Sequence, residues 1–344
     1  MTTNRWMRTA IVFAGLVATA VQTRTSSGDE PPEVLRVMTW NVEWFFDNFQ
    51  GDNRSDIAKQ QSAPNSAAWE WKVGAVAASI ASSKPTIVAL QEVESREAMF
   101  ELRDALRDKH GLAYRVAFID GFDSGTEQDV AVLYRSGLVE FSRREQTAEM
   151  FASREYYNLS KHLFGRFEWQ TADGRTERLL LLTVHLRARA EAAELRRRQA
   201  RLCHRWLADA VAAGENVILL GDFNVESSFG QAMAEDDGIE LLSGKGTALP
   251  EDDLRDLHEF LPEADRQTHM ILPKQFDRIL VSAPLLADEP GQIDLVYKSV
   301  DVVTEATVRG TPAGPKHWDD RYAADVAERD VSDHYPLVVD FEFR

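Results

Sequence analysis

Short apolar runs alternate with longer amphipathic stretches along most of this chain. Runs that are rich in Val, Leu and Ile, and therefore typical of strands, are VLRVMTW, TIVAL, residues 114–119, residues 129–134, LLLLTV, NVILL, FDRILV and LVVDFEF. Helical periodicity covers residues 67–82, 96–109 and 194–213. Because strands and helices are interspersed without a second linker, the pattern predicts one domain of mixed α/β class over residues 34–344.

The first thirty-three residues differ from this pattern. Arg5 and Arg8 precede an apolar run over residues 10–18, and Ala18-Thr19-Ala20 supplies the small residues that signal peptidase prefers. The run is shorter than the roughly 20 apolar residues of a membrane span, which disfavours an uncleaved anchor. Residues 1–20 are therefore predicted to be a cleaved signal peptide and the polar residues 21–33 a linker. The protein is expected to be exported to the periplasm or outside the cell.

Composition and charge narrow the class of protein. The chain has 344 residues, 44% of them hydrophobic, which is enough for a sizeable core. Cys203 is the only cysteine, so no internal disulfide can form, and its helical context predicts a small buried apolar residue. The formal net charge of −17 disfavours surface-wide binding of polyanions. A local basic groove or a bound cation would still admit a phosphodiester.

The strongest local feature is the apolar strand that ends in LLGDFN. Asp222 and Asn224 lie two residues apart and are expected on the same side of the strand. There an acid and an amide can place a base and an orienting donor on one water. Gly, Asp and Asn also form turns, so a plain turn is the alternative.

Polar residues end other predicted strands as well. Asn41 follows VMTW, and Glu92 lies in the apolar run VALQEV. A buried carboxylate is costly unless it is paired or bound to a metal, so Glu92 is a candidate metal ligand. The alternative is an acid that caps the next helix or pairs with a lysine.

The segment SDHYPL precedes the last apolar strand. Its adjacent Asp333 and His334 can bind a metal and contact an oxyanion from one loop. Asp277, in FDRIL, can accept the other imidazole proton and fix the tautomer of His334. The alternative is that His334 is a surface or core histidine without a ligand.

Taken together, these segments resemble the endonuclease/exonuclease/phosphatase superfamily, which has the DNase I-like fold. The motifs that carry the resemblance occur in the family's order and span nearly the whole predicted domain. They are TWNVE (Asn41), LQEV (Glu92), VHLRAR (His185), GDFN (Asp222 and Asn224), FDRILVS (Asp277) and SDHYPL (Asp333 and His334). The resemblance implies a four-layered α/β sandwich of two mixed β-sheets packed face to face, with helices outside and the site at one end.

The resemblance also implies a role for each matched residue. Asn41 and Glu92 would hold a divalent cation, with Asp333 close by. Asp222 and Asn224 would position and activate the attacking water. The matched histidines and their partner complete the expected site: His334, backed by Asp277, would stabilise the charge on phosphorus, and His185 would contact the phosphate or assist the leaving group.

The chemistry of phosphoester cleavage agrees with these roles. Negative charge on the phosphate obstructs attack, and a hard cation held by oxygen ligands neutralises part of it. Mg²⁺ suits so few carboxylates, because it keeps waters and shares its shell with the substrate, and Mn²⁺ is an expected substitute. Asp222 and the histidines are both open as the general base.

Further residues are predicted to contact substrate or to serve structure. Arg187 and Arg189 alternate after His185 and would grip a phosphate if the strand continues that far, although ordinary surface arginines are an equal alternative. His269 precedes the Asp277 strand and is expected to face substrate. The run Arg196–Arg198 is predicted to be a solvated, salt-bridged helix face, and the aromatic residues near Trp44 and Trp69 are predicted to be core.

The sequence thus predicts an exported, monomeric, metal-dependent phosphodiesterase, with a nuclease that acts on DNA or RNA as the first hypothesis. A phosphatase or a sphingomyelinase-like phospholipase, acting on an inositol phosphate or a lipid head group, is the second. A binding protein on the same fold, without turnover, is the third, and the intact set of site residues argues against it.

Overall fold

The computed structural model describes residues 29–225, 238–290 and 293–344. The predicted signal peptide and linker residues 21–28 lie outside the described residues, so both predictions remain predictions. In the described ranges no helix combines the length and the apolar character that crossing a membrane requires.

The described residues contain twelve strands and seven α-helices. The strands are β1 (Val34–Phe45), β2 (Ile87–Val93), β3 (Arg115–Phe118), β4 (Asp129–Tyr134), β5 (Leu138–Ser142), β6 (His162–Gln170), β7 (Thr176–His185), β8 (Val217–Asp222), β9 (Arg255–Asp256), β10 (Asp277–Val281), β11 (Leu295–Val302) and β12 (Leu337–Phe343). The helices are α1 (Asp56–Gln61), α2 (Ser66–Ser83), α3 (Arg96–His110), α4 (Ala148–Ser153), α5 (Ala193–Ala212), α6 (Gly238–Ser243) and α7 (Lys316–Asp320).

The strands form two mixed six-stranded sheets. One has the order β11-β12-β1-β2-β4-β3 and the other the order β5-β6-β7-β8-β10-β9. In each sheet one central pair is parallel, β1 with β2 and β7 with β8, and the other neighbours are antiparallel. The two strands of each parallel pair end at the same edge of their sheet, so the polar residues at those ends lie close together.

Alternation along the strands builds the layers. Leu35 and Val37 of β1 pack with Leu181 of β7 in a cluster between the sheets, while Met38 and Trp40 pack with residues of α2 and α3. On the far side, residues of β7 and β8 pack against α5. The order helix, sheet, sheet, helix confirms the predicted four-layered sandwich.

The helix ends carry the expected caps. The Ser95 side chain accepts a hydrogen bond from the Ala98 N–H at 3.1 Å and begins α3, and Gly111 ends it in the left-handed conformation at φ 67°. Asn65 caps α2 through the Ala68 N–H at 2.9 Å. These local signals explain why both helices lie within one or two residues of their predicted limits.

The structure corrects one helix prediction and adds several strands. Arg196 was expected on a solvated face, but it is fully buried and donates to the Arg187 and Arg189 carbonyl oxygens at 2.8 and 2.9 Å. A guanidinium can be buried there because carbonyl oxygens accept its N–H groups. The pattern also missed β5, β6, β9 and β11. Cys203 is buried, as predicted.

Candidate active site

Strand register assembles half of the site in the second sheet. His185, the last residue of β7, pairs with Asp222, the last residue of β8, and Asp222 pairs on its other side with Asp277, the first residue of β10. Three predicted residues that are far apart in sequence therefore lie side by side. Gly221 makes this possible: its φ is 138°, and an added Cβ would lie 2.0 Å from the Val184 carbonyl oxygen.

The first sheet contributes residues through an irregular backbone. Glu43, Trp44 and Glu92 have φ values of 48°, 44° and 62°, a left-handed region that costs non-glycine residues of order 1–3 kcal/mol each. The turn directs the Trp44 N–H to Glu92 Oε2 and the Glu43 N–H to Asn41 Oδ1, both at 2.9 Å. The strained backbone thereby fixes both predicted metal ligands of this sheet.

Asn41 joins the two sheets. Its Nδ2 donates to Glu92 Oε1 at 3.1 Å and to Asp222 Oδ2 at 2.9 Å. The amide is 1% exposed, so these bonds are not weakened by competition with solvent. The candidate metal side and the candidate water side of the site are therefore one hydrogen-bonded unit.

His334 and Asp277 form a buried pair. His334 Nδ1 lies 2.7 Å from Asp277 Oδ2. Burial alone would lower the pKa of His334, but the charge of Asp277 and its hydrogen bond, with Asp333 and Asp222 nearby, raise that pKa well above its ordinary value. These carboxylates favour the protonated ring, and its Nε2 lies 3.8 Å from Asp333 Oδ1 and 3.9 Å from Asp222 Oδ2.

The backbone around His334 is also fixed. The His334 carbonyl oxygen accepts from Trp40 Nε1 and from Thr307 Oγ1, each at 2.9 Å. Ser332 donates to the Asn41 carbonyl oxygen at 2.8 Å and accepts the His334 N–H at 3.0 Å. The SDH loop is thus bound to the end of β1, and its histidine has little freedom to move.

Asp222 is the central carboxylate. It is 1% exposed, and burial raises its pKa to about 6, with Asp277 adding to the rise and His334 opposing it. Its Oδ1 accepts the Asn224 N–H at 2.9 Å. Asn224 lies beyond the strand at φ 50°, and its Nδ2 donates to the Leu186 carbonyl oxygen at 3.2 Å. The backbone N–H of Asn224 therefore orients the Asp222 carboxylate. The two side chains are not neighbours on the same side of one strand, as the sequence predicted, because Asn224 lies beyond the end of β8.

His185 is a neutral imidazole. Its Nε2 lies 3.6 Å from Asp222 Oδ2, and its Nδ1 is buried without a hydrogen-bond partner among the described residues. Burial, with the charges of Lys161 and His334, lowers its pKa well below the ordinary value. The pKa of His185 is thus lowered while that of His334 is raised, and both rings lie within 4 Å of Asp222 Oδ2.

His269 is held as a fixed donor. Its Nδ1 accepts the backbone N–H groups of Ile271 and Leu272 at 3.1 and 3.0 Å, so the ring proton must be on Nε2. Nε2 lies 3.6 Å from Asp333 Oδ2, and the ring centroid lies 4.7 Å from that of His334. Burial and the charge of His334 lower the pKa of His269 to about 2.

The oxygen groups on the Asn41 side fit a divalent cation. Burial raises the pKa of Glu92 to about 7, with Asp333 adding to the rise, and burial and Glu43 raise the pKa of Asp333. Carboxylates that oppose one another's ionisation need a cation, and carboxylate and amide oxygens are the ligands of Mg²⁺. Asn41, Glu92 and Asp333 would hold it.

Two sets of acids and histidines also cluster, with ligand atoms within 4.8 Å: His269, Asp333 and His334, and Asp222, Asp277 and His334. Both contain His334, whose Nδ1 is engaged by Asp277 Oδ2 at 2.7 Å, and His269 Nδ1 accepts two backbone N–H groups. The carboxylates of these sets are therefore the better candidates to hold a cation, and the two rings are the better candidates to donate to a phosphate oxygen.

The predicted arginines lie outside this group. β7 ends at His185, so the alternation that would have turned Arg187 and Arg189 toward the site does not extend to them. Both are exposed, and Arg189 Nη1 lies 3.9 Å from Glu191 Oε1. Their role in substrate binding remains a prediction.

The sequence reasoning missed a second layer beneath the site. His317 Nε2 lies 2.6 Å from Glu43 Oε2, and Lys72 Nζ donates to the Val331 carbonyl oxygen at 2.6 Å. Despite burial, His317 lowers the pKa of Glu43 to about 2, while burial lowers the pKa of Lys72 to about 8. The signals were a glutamate two residues after Asn41 and a lysine inside a buried helix. Trp318, whose Nε1 donates to Asp333 Oδ2 at 2.8 Å, was also missed.

Two clefts lie elsewhere on the part of the chain that the structure describes. A cleft of about 370 Å³ lies beside β6 and β7, and another of about 490 Å³ lies along α5. Neither is lined by any residue of the predicted site. The chemistry of the candidate site is identified by its buried charges and by the strand register.

Known proteins share this architecture. A curated deoxyribonuclease from Thioalkalivibrio sp. (strain K90mix) is 27% identical over 288 residues, which cover 79% of this chain and 68% of the relative. A solved endonuclease/exonuclease/phosphatase family protein from Bacteroides thetaiotaomicron superposes with TM-score 0.53 at 18% identity. The match covers 91% of this chain and 99% of that protein. D. rerio TDP2, crystallised with a single-strand DNA product, gives 0.52 at 14%, covering 90% and 100%.

The sequence profile described as Endonuclease/Exonuclease/phosphatase family matches residues 38–334. That range begins in β1 and ends at His334, so it includes all eight residues that were matched in the motifs. The chain therefore belongs to the endonuclease/exonuclease/phosphatase family, and it is a hydrolase that acts on phosphoester bonds.

Proposed function

We propose that this protein is an exported Mg²⁺-dependent phosphodiesterase that hydrolyses nucleic acid. The observation that carries the proposal is the position of Asp222: the Asn41 amide, the neutral His185 and the cationic His334 surround one buried carboxylate. Such an arrangement provides a base, a fixed cationic donor and an oxygen-rich metal side within one site. The deoxyribonuclease relative supports a nucleic acid as substrate.

Asp222 is the group best placed to take the proton of an attacking water. A general base works best when its pKa lies near the working pH, and the pKa of Asp222 is raised to about 6. Its Oδ1 is held by the Asn224 N–H and its Oδ2 by Asn41. The proton would pass to a carboxylate that is already oriented.

His334 supplies a positive donor to the phosphoryl oxygens. Its Nδ1 is engaged by Asp277, so its Nε2–H is the one that can reach a substrate. Because the pair is buried and fixed, stabilising the extra charge at phosphorus requires little reorganisation. His269 offers a second, neutral Nε2–H from the same side.

His185 lies on the opposite side of Asp222 from Asp277 in the sheet. As a neutral imidazole it can donate to a phosphate oxygen or to the leaving oxygen without repelling His334. Its unpartnered Nδ1 leaves both tautomers open.

The family's enzymes depend on a divalent metal, and the donor set here agrees with that requirement. Held by Asn41, Glu92 and Asp333, Mg²⁺ would neutralise negative charge on the phosphate. The cation would then offset both the burial of Glu92 and the repulsion from Asp333, which together raise the pKa of Glu92.

A substrate panel tests the proposal. The purified protein is assayed with Mg²⁺ or Mn²⁺ against plasmid DNA, RNA, a nitrophenyl phosphodiester, a monoester, inositol phosphates and sphingomyelin vesicles. We expect cleavage of DNA or RNA and of the nitrophenyl diester. Cleavage of sphingomyelin or inositol phosphates alone would replace nucleic acid by the second hypothesis, and no cleavage with either metal would contradict the proposal.

Export has its own test. Protein recovered from the periplasm or medium of a bacterial host is sequenced from its N-terminus. We expect it to begin at Val21, because the predicted signal covers residues 1–20. Intact protein that stays in the cytoplasm would contradict this part of the proposal.

A further inference from the structure

Trp318 is half exposed, and its side chain is also hydrogen-bonded to a residue of the candidate active site. Its indole N–H donates to Asp333 Oδ2 at 2.8 Å, and its ring lies 5.9 Å from the His269 ring at an angle of 73°. Even so, 49% of the residue is exposed. By contrast, Trp40 and Trp169 are fully buried. The polar edge of Trp318 is thus engaged, and what remains open is apolar ring surface.

The ring is mounted on a fixed support. The preceding residue, His317, is 4% exposed and lies 2.6 Å from Glu43. Arg321, at the end of α7, donates to the Gln61 side chain and to the Trp44 carbonyl oxygen at 3.3 Å. Both neighbours attach α7 to the segment that follows Asn41. An aromatic side chain held in this way loses little conformational entropy when a ligand covers it.

Leaving this much aromatic surface in water forgoes burial that a large side chain normally gains. A ring adjacent to Asp333 is within reach of the groups directly bonded to the reacting phosphorus. In a nucleic acid those groups carry planar bases, which stack on aromatic side chains whatever their sequence. An aromatic that inserts into lipid would instead project away from the reacting carboxylates.

We propose that Trp318 is the stacking surface for a nucleobase next to the scissile phosphate, and so a residue that determines specificity. The inference rests on the proposed nuclease function and adds the substrate feature that the site reads. The inference predicts that the enzyme acts on single-stranded nucleic acid or on the frayed ends of a duplex, because a base must leave its stack to reach the Trp318 ring.

The test uses single-stranded DNA with one ordinary phosphodiester between nuclease-resistant linkages. A matched strand has abasic residues on both sides of that linkage. Wild type, Trp318→Leu, Trp318→Phe and the outer-helix control Phe100→Leu are compared by steady-state kinetics with Mg²⁺. Binding is measured separately by fluorescence anisotropy in EDTA, where the strand is not cut.

For the strand with bases, Trp318→Leu should raise KM about tenfold with little change in kcat, which matches the loss of one base–aromatic stack. Trp318→Phe keeps a ring and should stay within about threefold of wild type, as should Phe100→Leu. For the abasic strand the wild type should already bind weakly, and Trp318→Leu should weaken it no further. Anisotropy should show the same pattern.

Two results overturn the inference while leaving the nuclease proposal intact: Trp318→Leu that equals wild type on both strands, or equal losses of kcat in the Leu and Phe variants on both. The second would mean that Trp318 only orients Asp333 through its N–H. If the wild type neither binds nor cleaves DNA but hydrolyses sphingomyelin vesicles, the proposed function fails first and this inference with it.

Discussion

At the scale of single residues, the site depends on which groups carry protons. The pKa of His334 is raised because Asp277 lies 2.7 Å away, while burial lowers the pKa of His185 and His269, which have no carboxylate at hydrogen-bond distance among the described residues. Three identical side chains thus differ in pKa because their surroundings differ, and they can take different roles in the site.

Asp277→Asn should remove this distinction. Without the carboxylate the pKa of His334 falls, so we expect kcat to drop by about 10²- to 10⁴-fold near pH 8 and less at lower pH, where the ring is still protonated. The pH dependence of kcat measures both effects. The matched control is Asp256→Asn, which breaks an equally buried pair with Arg278 at 2.6 Å and should keep kcat. Equal losses in both variants would show damage to the fold rather than to the site.

His162 allows a pH prediction away from the chemistry. It stacks on Trp206 at 4.8 Å, and burial, with the charge of Arg143, lowers its pKa to about 3. The unfolded chain therefore binds a proton first, so the stability that His162 contributes is present above about pH 6.5 and is lost as the pH falls toward 3. His162→Phe lacks this loss.

Urea unfolding at pH 7 and pH 5 measures this loss of stability. The stability of wild type relative to His162→Phe should fall by about 2 kcal/mol between the two values. Between pH 7 and 8 the difference should stay constant, which serves as the internal control. A constant difference down to pH 5 would mean that His162 is protonated within the fold.

Residues at strand ends were predictable, whereas those that support them were not. Asn41, Glu92 and Asp222 follow apolar runs, and burying them needs a chemical reason, so the sequence alone raises the question. Glu43, two residues after Asn41, gave only a weak signal, and Trp318 gave none. Glu43 acts through a left-handed backbone at φ 48°, and Trp318 through a contact fifteen residues away in sequence, and neither is written in local pattern.

At the scale of elements, the long strands and helices were predicted where their own periodicity is strong. The pattern failed where packing decides: β6 (HLFGRFEWQ) contains glycine and charges, and the short edge strand β9 has two residues. β7 ends at His185, and the Leu186 N–H still bonds to the Asp222 carbonyl oxygen of β8 at 2.9 Å. The next residue leaves the sheet, because the Arg187 N–H donates to Gln199 Oε1 at 2.9 Å and its carbonyl oxygen accepts from Arg196 at 2.8 Å.

α7 depends on one buried ion pair. Glu43 and His317 are 6% and 4% exposed, and removal of one partner leaves the other charge buried, which typically costs about 3–5 kcal/mol. Glu43→Gln and His317→Gln should each destabilise the protein strongly, and the double variant by at least about 1 kcal/mol less than their sum. Urea unfolding gives the cycle. Deuterium uptake of residues 313–323 should rise in all three variants, and strictly additive energies would show that the pair is not coupled.

At the scale of the whole molecule, the acidic balance governs encounter with substrate. A net charge of −17 repels a polyanion at long range, whereas a bound cation and the His334 donor would attract a phosphate at the site. The surface and the site therefore act in opposite directions.

Salt dependence follows from this opposition. Raising NaCl from 50 to 200 mM at fixed Mg²⁺ screens the repulsion, so kcat/KM on single-stranded DNA should rise or change by less than about threefold. The nitrophenyl diester, which carries one charge, serves as the control. A fall of about 10³-fold, as six or more phosphate contacts produce, would reveal a basic groove.

The most direct measurement of the central chemistry is hydrolysis of the nitrophenyl diester by wild type and Asp222→Asn, with and without metal. EDTA should abolish wild-type turnover and added Mg²⁺ or Mn²⁺ should restore it, because charge on the phosphate otherwise blocks attack. Asp222→Asn should stay folded and lose about 10²- to 10⁴-fold in kcat under saturating metal. Turnover that resists EDTA, or full activity in Asp222→Asn, would contradict a metal-assisted site centred on this carboxylate.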